Sequence, residues 1–458
     1  MADQFDLVVL GAGTGGYATA IRAASLGMNV ALVERDERLG GTCLIRGCIP
    51  TKALLHSADV FETLRDSERF GVKGGDPAFD WGGVQAHKEK VVAKMTSGLA
   101  TLVKHRKIEV VKGTGTLTGP RSVDVDGREL RGTNLVVATG SKPKRLPGLE
   151  GDRVITSDEA LSIGVPKSAI VLGAGSVGVE FASIWASFGS QVTIVEMLPT
   201  LVPLEDETLG KELAKAFKKR GITCLTGAKM EDADVGDDGV KVTVSTNGKT
   251  ETIEAEILLV AVGRAPVTDT AGLDAVGITL DERGYIKTDD VLQTTAEGVY
   301  AVGDVIPTPA LAHMAFGEGM FVAERLAGKN PPAINYDAVP RATYCVPEVA
   351  AVGLTEAQAR ERGIDVVIQK VSLAAIGKAA ILGETAGFCR MIAAKDGEIV
   401  GVHFIGPRVT ELIAEAMLVV GWEALPEEVA QLIHPHPSLS EVFGEAALAL
   451  AGRALHTG

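Results

Sequence analysis

Short apolar runs closed by glycine turns recur along this chain, and one long version of the pattern occurs twice. Residues 5–13 read FDLVVLGAG, an apolar run entering a glycine turn. The next stretch, YATAIRAASLG, places Tyr17, Ala20, Ile21 and Ala24 at helical spacing. MNVALVER then supplies a second apolar run that ends on Glu34, completing strand, turn, helix and strand in the style of a parallel sheet. Ser168 to Glu196, SAIVLGAGSVGVEFASIWASFGSQVTIVE, repeats that grammar in full. Two mononucleotide-binding units of this kind predict two dinucleotide sites.

Each unit is closed by a strand ending in a similar turn: LRGTNLVVATGSKPKRLPGLEG after the first, ETIEAEILLVAVGRAP after the second. The Pro-rich stretch near residues 143–151 suits a crossing between domains. From about Val339 the pattern changes. RATYCVPEVAAVGLT and FCRMIAAKDGEIVGVHFIG read as antiparallel strands with a Lys-Asp-Gly-Glu hairpin turn, and TELIAEAMLVVGWEA and EEVAQLI read as helices on that sheet. The fold class expected is therefore α/β: two Rossmann-like nucleotide-binding domains and a C-terminal α+β domain. The expected domains are residues 1–148, 149–270, a central segment 271–340, and 341–458.

Composition narrows the function classes. At 458 residues the chain exceeds what one core organises, so about three or four structural units are expected. With 46% hydrophobic and 23% charged residues it is globular rather than disordered. A net charge of −14 disfavours nucleic acid and anionic membranes as partners. The N-terminus, MADQFDLVVLGAG, has acidic residues where a secretory signal carries basic ones, and its apolar run is too short to span a membrane; a cytoplasmic location is expected. Five cysteines are too few for a disulfide scaffold, so a disulfide in a reducing compartment would be catalytic.

The first glycine turn is Gly11-Ala12-Gly13-Thr14-Gly15-Gly16, a G-x-G-x-x-G between strand and helix. Gly11 suits the tight turn, Gly13 the approach of a pyrophosphate, and Gly16 close packing of helix on strand, with Glu34 placed for a ribose hydroxyl pair. In the second turn Gly173, Gly175 and Gly178 repeat the pattern, and Glu196 ends the strand with Met197 and Leu198 after it and no arginine nearby. A carboxylate there accepts from a free 2′-hydroxyl and repels a 2′-phosphate, which predicts NAD rather than NADP.

Cys43 and Cys48 stand five positions apart in GGTCLIRGCIPTK, just after Glu34. Five residues of regular helix rise about 7.5 Å, beyond the roughly 4.4–6.8 Å between Cα atoms that a disulfide tolerates. If these cysteines bond, the segment is not a regular helix. Gly47 lets the backbone bend, and Pro50 fits the first turn of a helix starting near Cys48, whose positive end would favour a thiolate. Spacing leaves open a redox pair or two buried thiols; half a zinc site is disfavoured, because no second C-x-x-C or matching His pair accompanies it. Cys224, Cys345 and Cys389 have no partner spacing and are expected in the core. The C-terminal His434-Pro435-His436-Pro437-Ser438-Leu439-Ser440-Glu441 reads either as a rigid turn or as a catalytic segment, with His436-Pro437 a candidate cis bond.

The cysteine segment following a nucleotide turn resembles the redox signature G-G-T-C-x-x-x-G-C-I-P-(S/T)-K of the class I pyridine nucleotide-disulfide oxidoreductases, and the likeness extends over essentially the whole chain. That resemblance implies FAD in the first nucleotide domain, NAD in the second and dimerisation through the last. It implies a Cys43–Cys48 redox disulfide, with His436 as general base and Glu441 as the carboxylate that orients it. Gly298 to Val305 is similar to the family's second flavin motif, in which Asp304 binds the cofactor's ribityl or pyrophosphate part. Lys52, Gly115, Thr139 and Gly140 are assigned to the flavin site in the same way, with Glu180 meeting Lys52 beside it and Gly263 near flavin or NAD. Two positions depart from the family pattern: Ile45 stands where Asn is usual, and Ser438 where Thr is usual. Neither carries the sulfur chemistry, so they bear on rate or flavin environment.

Within the family, glutathione reductase-like members need basic residues where this chain has Glu196 and Met197. Mercuric reductases typically carry a C-terminal cysteine pair, absent from AALALAGRALHTG, and a soluble transhydrogenase lacks the first redox cysteine. The dihydrolipoamide dehydrogenase branch fits with fewest exceptions. It implies oxidation of dihydrolipoyl groups with NAD as acceptor, a homodimer in which the base comes from the partner subunit, and docking to lipoyl domains and the acyltransferase core of a 2-oxo acid dehydrogenase complex or to the glycine cleavage H protein. The competing readings are a quinone or metal-ion reductase on this scaffold and a flavoprotein without thiol chemistry.

Overall fold

The computed structural model describes residues 3–456. The chain divides into two compact units, each assembled from separated stretches: 1–54, 80–144 and 263–334 in the first, 55–79, 145–262 and 335–458 in the second.

In the first unit, strands Asp3–Leu10, Val30–Glu34, Glu109–Lys112 and Arg128–Val137 lie side by side, with Val299–Ala301 beside the last. These pairings are parallel, with Leu7 opposite both Val30 and Asn134. Every residue of Val30–Glu34 is buried, which is why that strand reads as an unbroken apolar run rather than an alternation. Strands Gly115–Gly119 and Ser122–Val125 extend the sheet as an antiparallel meander. Helix Thr14–Ser25 buries Gly15, Gly16, Thr19, Ala20 and Ala23. Small residues on that face let the backbone of helix Ala312–Leu326 approach closely: a Cβ on Gly319 would lie 2.6 Å from the carbonyl oxygen of Gly15 and 2.7 Å from Thr19 Oγ1.

The second unit contains a five-stranded parallel sheet in the order Thr223–Thr226, Gln191–Glu196, Ser168–Leu172, Ile257–Val260, Val154–Ile155. Helix Ser176–Ser187 is almost wholly buried, Phe181 and Trp185 included, each such side chain contributing roughly 1.5–3 kcal/mol of apolar burial. A three-stranded antiparallel sheet spans residues 228–255. The C-terminal part is a five-stranded antiparallel sheet, in which Phe388–Ala394 and Ile399–Gly406 form the expected hairpin across residues 395–398. Helices Val409–Gly421 and Glu441–Leu450 cover it, with Phe443 packed on Phe404. The EEVAQLI segment is helical only over Pro426–Val429. Asp206 caps helix Glu207–Lys219 by accepting from the Thr208 N–H at 3.0 Å, and also accepts from buried Arg390 at 2.6 Å, fastening the helix to the antiparallel sheet. Cys345 and Cys389 are buried as expected, while Cys224 is half-buried, its thiol pushed up to about 11 by burial.

The two closing turns noted in the sequence pair with one another. Ser141–Pro143 and Arg264–Pro266 form an antiparallel ribbon, Ser141 opposite Pro266 and Arg264 opposite Pro143. No helix among the described residues is long and apolar enough to cross a membrane.

The helix contact at Gly319 generates a stability prediction. Gly319→Ala places a methyl against unyielding backbone, and calorimetry is expected to find the protein destabilised by about 1–3 kcal/mol.

Candidate active site

The two glycine turns are built alike. Gly11 (φ +96°) and Gly173 (φ +101°) tolerate no side chain, because a Cβ would lie 2.4 Å from the Ala138 carbonyl oxygen in one and 2.6 Å from that of Ala261 in the other. A Cβ on Gly16 or Gly178 would lie 1.8 or 2.0 Å from the carbonyl oxygen of Gly11 or Gly173. The middle glycines differ: Gly175 has nothing within 4 Å, and Gly13 meets only the Cα of Gly41 at 3.9 Å. Two glycines of each turn are thus required by the protein's own backbone, and the middle one leaves open the face at the N-terminus of a twelve-residue helix. That cradle fits a pyrophosphate.

The two acids are held identically. Glu34 accepts from the Ala12 N–H at 2.7 Å and the Asp36 N–H at 2.8 Å; Glu196 accepts from Ala174 at 2.7 Å and Leu198 at 2.8 Å. Each carboxylate is pinned to its own glycine turn, with lone pairs left for a ribose hydroxyl pair. Burial lifts the Glu34 carboxyl above its usual range, against the opposing N–H of Ala12. Gly140 and Gly263, both at positive φ, also have open Cβ positions. Thr139 donates its hydroxyl to Val267 O at 2.6 Å and so holds the turn beside Gly140. Gly115 faces inward, where a Cβ would press on Val33, Val123 and Leu10, so any ligand contact there goes through its backbone.

Cys43 lies in a wide π-type turn, Thr42–Arg46, and Cys48 opens the eighteen-residue helix Cys48–Arg65 after the bend at Gly47. The irregular backbone that a bond between these cysteines would require is present. The two cysteines are free thiols hydrogen-bonded to one another. That bond, together with burial, raises the Cys43 thiol far above its usual value; the Lys52 ammonium opposes the rise and the Asp304 carboxylate adds to it. Ile45 packs against the apolar core of the first unit, and Arg46 pairs with Asp36. The turn is set directly on the phosphate cradle, since Gly41 (φ +56°) would bring a Cβ to 2.6 Å from the Cα of Gly13. Tyr17, on the helix after the cradle, has its phenol raised by burial and then by Cys43 and Cys48.

Asp304 accepts from the Ser141 hydroxyl at 2.6 Å, and Arg264 donates to the same hydroxyl oxygen at 2.6 Å. Ser141 and Arg264 were not found by sequence reasoning; the repeated turn after each nucleotide unit was their only signal. In the second unit, Glu180 is buried and accepts from the Tyr344 N–H at 2.9 Å. His436 and Glu441 meet, Nδ1 to Oε1 at 2.8 Å, across a cis His436–Pro437 bond. Glu441 also accepts from the Ser438 N–H at 2.8 Å. Burial of Glu441 works against ionisation, but the Ser438 N–H and His436 outweigh it and hold the carboxyl below its usual range. Its charge fixes Nδ1 as the protonated nitrogen, leaving Nε2 with the lone pair a general base needs. His434, by contrast, is bonded to Glu415 at 2.8 Å and is partly buried.

Residues 5–319 match the family described as pyridine nucleotide-disulphide oxidoreductase, and residues 339–447 match its dimerisation domain. The chain belongs to the pyridine nucleotide-disulphide oxidoreductase family. It is an oxidoreductase whose cofactors are FAD and NAD. Over 475 aligned residues it is 43% identical to a dihydrolipoyl dehydrogenase of Bacillus subtilis, covering 100% of both chains. It is 38% identical to the mitochondrial dihydrolipoyl dehydrogenase of Pisum sativum, covering 99% of this chain and 93% of that one. Among solved structures it resembles the HOCl-induced flavoprotein disulfide reductase RclA of Escherichia coli, with a TM-score of 0.85, 28% identity and coverage of 96% and 99%. It also resembles LpdA of Mycobacterium tuberculosis, with a TM-score of 0.89, 25% identity and coverage of 98% and 100%.

The seating of the cysteine turn on the cradle is testable. Gly41 has φ +56° and ψ −152°, a region that costs other residues on the order of 1–3 kcal/mol before any overlap is counted. Gly41→Ala is expected to weaken FAD retention about tenfold or more, measured by flavin release on dialysis.

Proposed function

We propose that the enzyme is a dihydrolipoyl dehydrogenase, oxidising dihydrolipoyl groups through a Cys43–Cys48 disulfide and FAD and reducing NAD. The observation that carries this reading is the cysteine pair itself, two thiols in hydrogen-bonding contact at a helix start beside a dinucleotide cradle.

In the proposed cycle His436 Nε2 removes a proton from one substrate thiol, and the resulting thiolate attacks the sulfur of Cys43. The Cys43–Cys48 bond breaks, a mixed disulfide forms, and Cys48 leaves as thiolate at the positive end of its helix. The second substrate thiol closes the lipoyl ring and displaces Cys43, which takes the proton held by His436, and His436 in turn accepts the proton of the second thiol, so the two protons of the substrate end on Cys43 and His436. The high proton affinity of Cys43 suits it to that end of the exchange. FAD and NAD, when bound, supply the onward transfer of the electron pair. Lys52, in the helix that Cys48 opens, favours negative charge on the pair. Glu441 keeps His436 in the tautomer that can accept a proton.

The working form is a homodimer in which His436 faces the partner's cysteine pair. His436 is 76% exposed in one chain, an unsheltered position for a base. Beside it Ile433 is 98% exposed and Leu432 is also exposed, apolar surface within the dimerisation domain that a second copy would cover. The physiological substrates are lipoyl groups carried by the lipoyl domains of 2-oxo acid dehydrogenase complexes or by the glycine cleavage H protein, in the cytoplasm.

Steady-state NADH formation from dihydrolipoamide and NAD tests the reading. Wild type is expected to turn over, Cys43→Ser to be inactive, and His436→Gln to lose roughly 10²–10⁴-fold. An enzyme that passes electrons from NADH to quinones or metal ions but forms no NADH from dihydrolipoamide contradicts it.

A further inference from the structure

Four residues of the first unit, far apart in sequence, form one hydrogen-bonded chain. Arg264 donates from Nε to Ser141 Oγ at 2.6 Å, from a terminal nitrogen to Ser141 O at 2.8 Å, and from the same nitrogen to Thr42 Oγ1 at 3.5 Å. Ser141 Oγ donates onward to Asp304 Oδ2 at 2.6 Å. The direction of these bonds is fixed by chemistry. A guanidinium only donates, so the serine oxygen must accept from it, and the single serine hydrogen is left for the aspartate. Arg264 Nε also lies 3.8 Å from Asp304 Oδ2, close enough for its charge to offset the carboxylate's. The whole group is partly sheltered from solvent, where such interactions are screened less than at an open surface.

The backbone delivers both ends of the chain. Ser141 and Arg264 belong to the two strands of the short antiparallel ribbon, so one cannot shift without the other. Asp304 follows Gly303, whose N–H donates to fully buried Glu318 at 2.6 Å, which fixes the approach of that loop. Thr42 is the first residue of the π-type turn and the direct neighbour of Cys43.

We propose that Arg264 is a positioning residue: through Ser141 it sets the Asp304 carboxylate, and through Thr42 it holds the redox turn, so that aspartate and cysteine pair keep one register. A fork with three acceptors can do this where a single ammonium cannot. An electrostatic consequence follows. Asp304 disfavours negative charge at Cys43, so the countercharge of Arg264 shelters the thiolate form of the pair.

The proposal rests on the reading of Asp304 as a flavin-binding residue, and the experiment separates the two. Holoenzymes of Arg264→Gln, Arg264→Lys, Ser141→Ala and Asp304→Asn are compared for FAD dissociation constant and for the pH midpoint of the long-wavelength absorption of the two-electron-reduced form, which reports thiolate against flavin. Arg264→Gln and Ser141→Ala are each expected to weaken FAD about tenfold or more, the loss of a charge-assisted hydrogen bond. Arg264→Gln is also expected to move the midpoint to higher pH. Arg264→Lys is expected to recover the midpoint but not the affinity. If Arg264→Gln and Ser141→Ala keep wild-type FAD affinity and midpoint, whatever their melting temperatures, the proposal is overturned; a fully wild-type Arg264→Lys overturns the need for the fork. If Asp304→Asn alone leaves FAD affinity unchanged, the underlying reading of Asp304 falls instead.

Discussion

The approach of two glycine backbones, Gly13 in the phosphate cradle and Gly41 before the redox turn, is the constraint on which the chemistry of the first unit depends. A Cβ on Gly41 would lie 2.6 Å from the Cα of Gly13, so no other residue type fits without moving one turn off the other. Because of this contact, the segment bearing Cys43 starts at the glycine cradle before helix Thr14–Ser25. The π-type turn and the bend at Gly47 then bring the two thiols together, and Cys48 begins a helix whose positive end faces the sulfur chemistry. Bond and burial both act to keep the proton on Cys43. The backbone thus gives the two cysteines different settings, one inside an irregular turn and one at a helix start.

Repetition is the second organising feature. Both nucleotide turns use one glycine to pass under the next strand end, one to seat the helix, and one to leave a cradle; both strand-end acids are tied to the turn they serve by two backbone N–H groups. Pinning a carboxylate this way fixes where its remaining lone pairs point, which is what discrimination of a ribose hydroxyl pair needs. Glu196 is tied down in the same way, by the Ala174 and Leu198 N–H groups. His436 and Glu441 show the same economy: one carboxylate orients the imidazole through one oxygen and is itself fixed by the Ser438 N–H through the other.

Much of this was legible in the sequence, for reasons that are local. Glycine spacing, acid-terminated strands and 3.6-residue periodicity are short-range properties, and they placed both nucleotide units, the helix at Cys48 and the C-terminal hairpin. The cis bond before Pro437 was legible because only X-Pro bonds adopt it readily. Pairings over long sequence separation were not legible. The ribbon of residues 141–143 with 264–266, and with it the link from Arg264 through Ser141 to Asp304, joins segments that no periodicity connects. Residues 55–79 join the second unit through Phe61 and Phe79 packed on Phe188 and through Glu62 bonded to Arg220, contacts that exist only once the chain is folded. The EEVAQLI segment has the composition of a helix but only three helical residues, because the helix ends at Val429 and Leu432 to Pro437 run as irregular chain that carries His436.

The most direct measurement is an anaerobic titration of the flavin-loaded enzyme with dihydrolipoamide, followed in the visible spectrum before and after NAD is added. The account predicts a long-wavelength band from Cys48 thiolate against oxidised flavin, discharged by NAD as NADH forms. A spectrum that ignores dihydrolipoamide while NADH still bleaches the flavin would leave the fold intact and contradict the assignment of the cysteine pair to dihydrolipoyl oxidation.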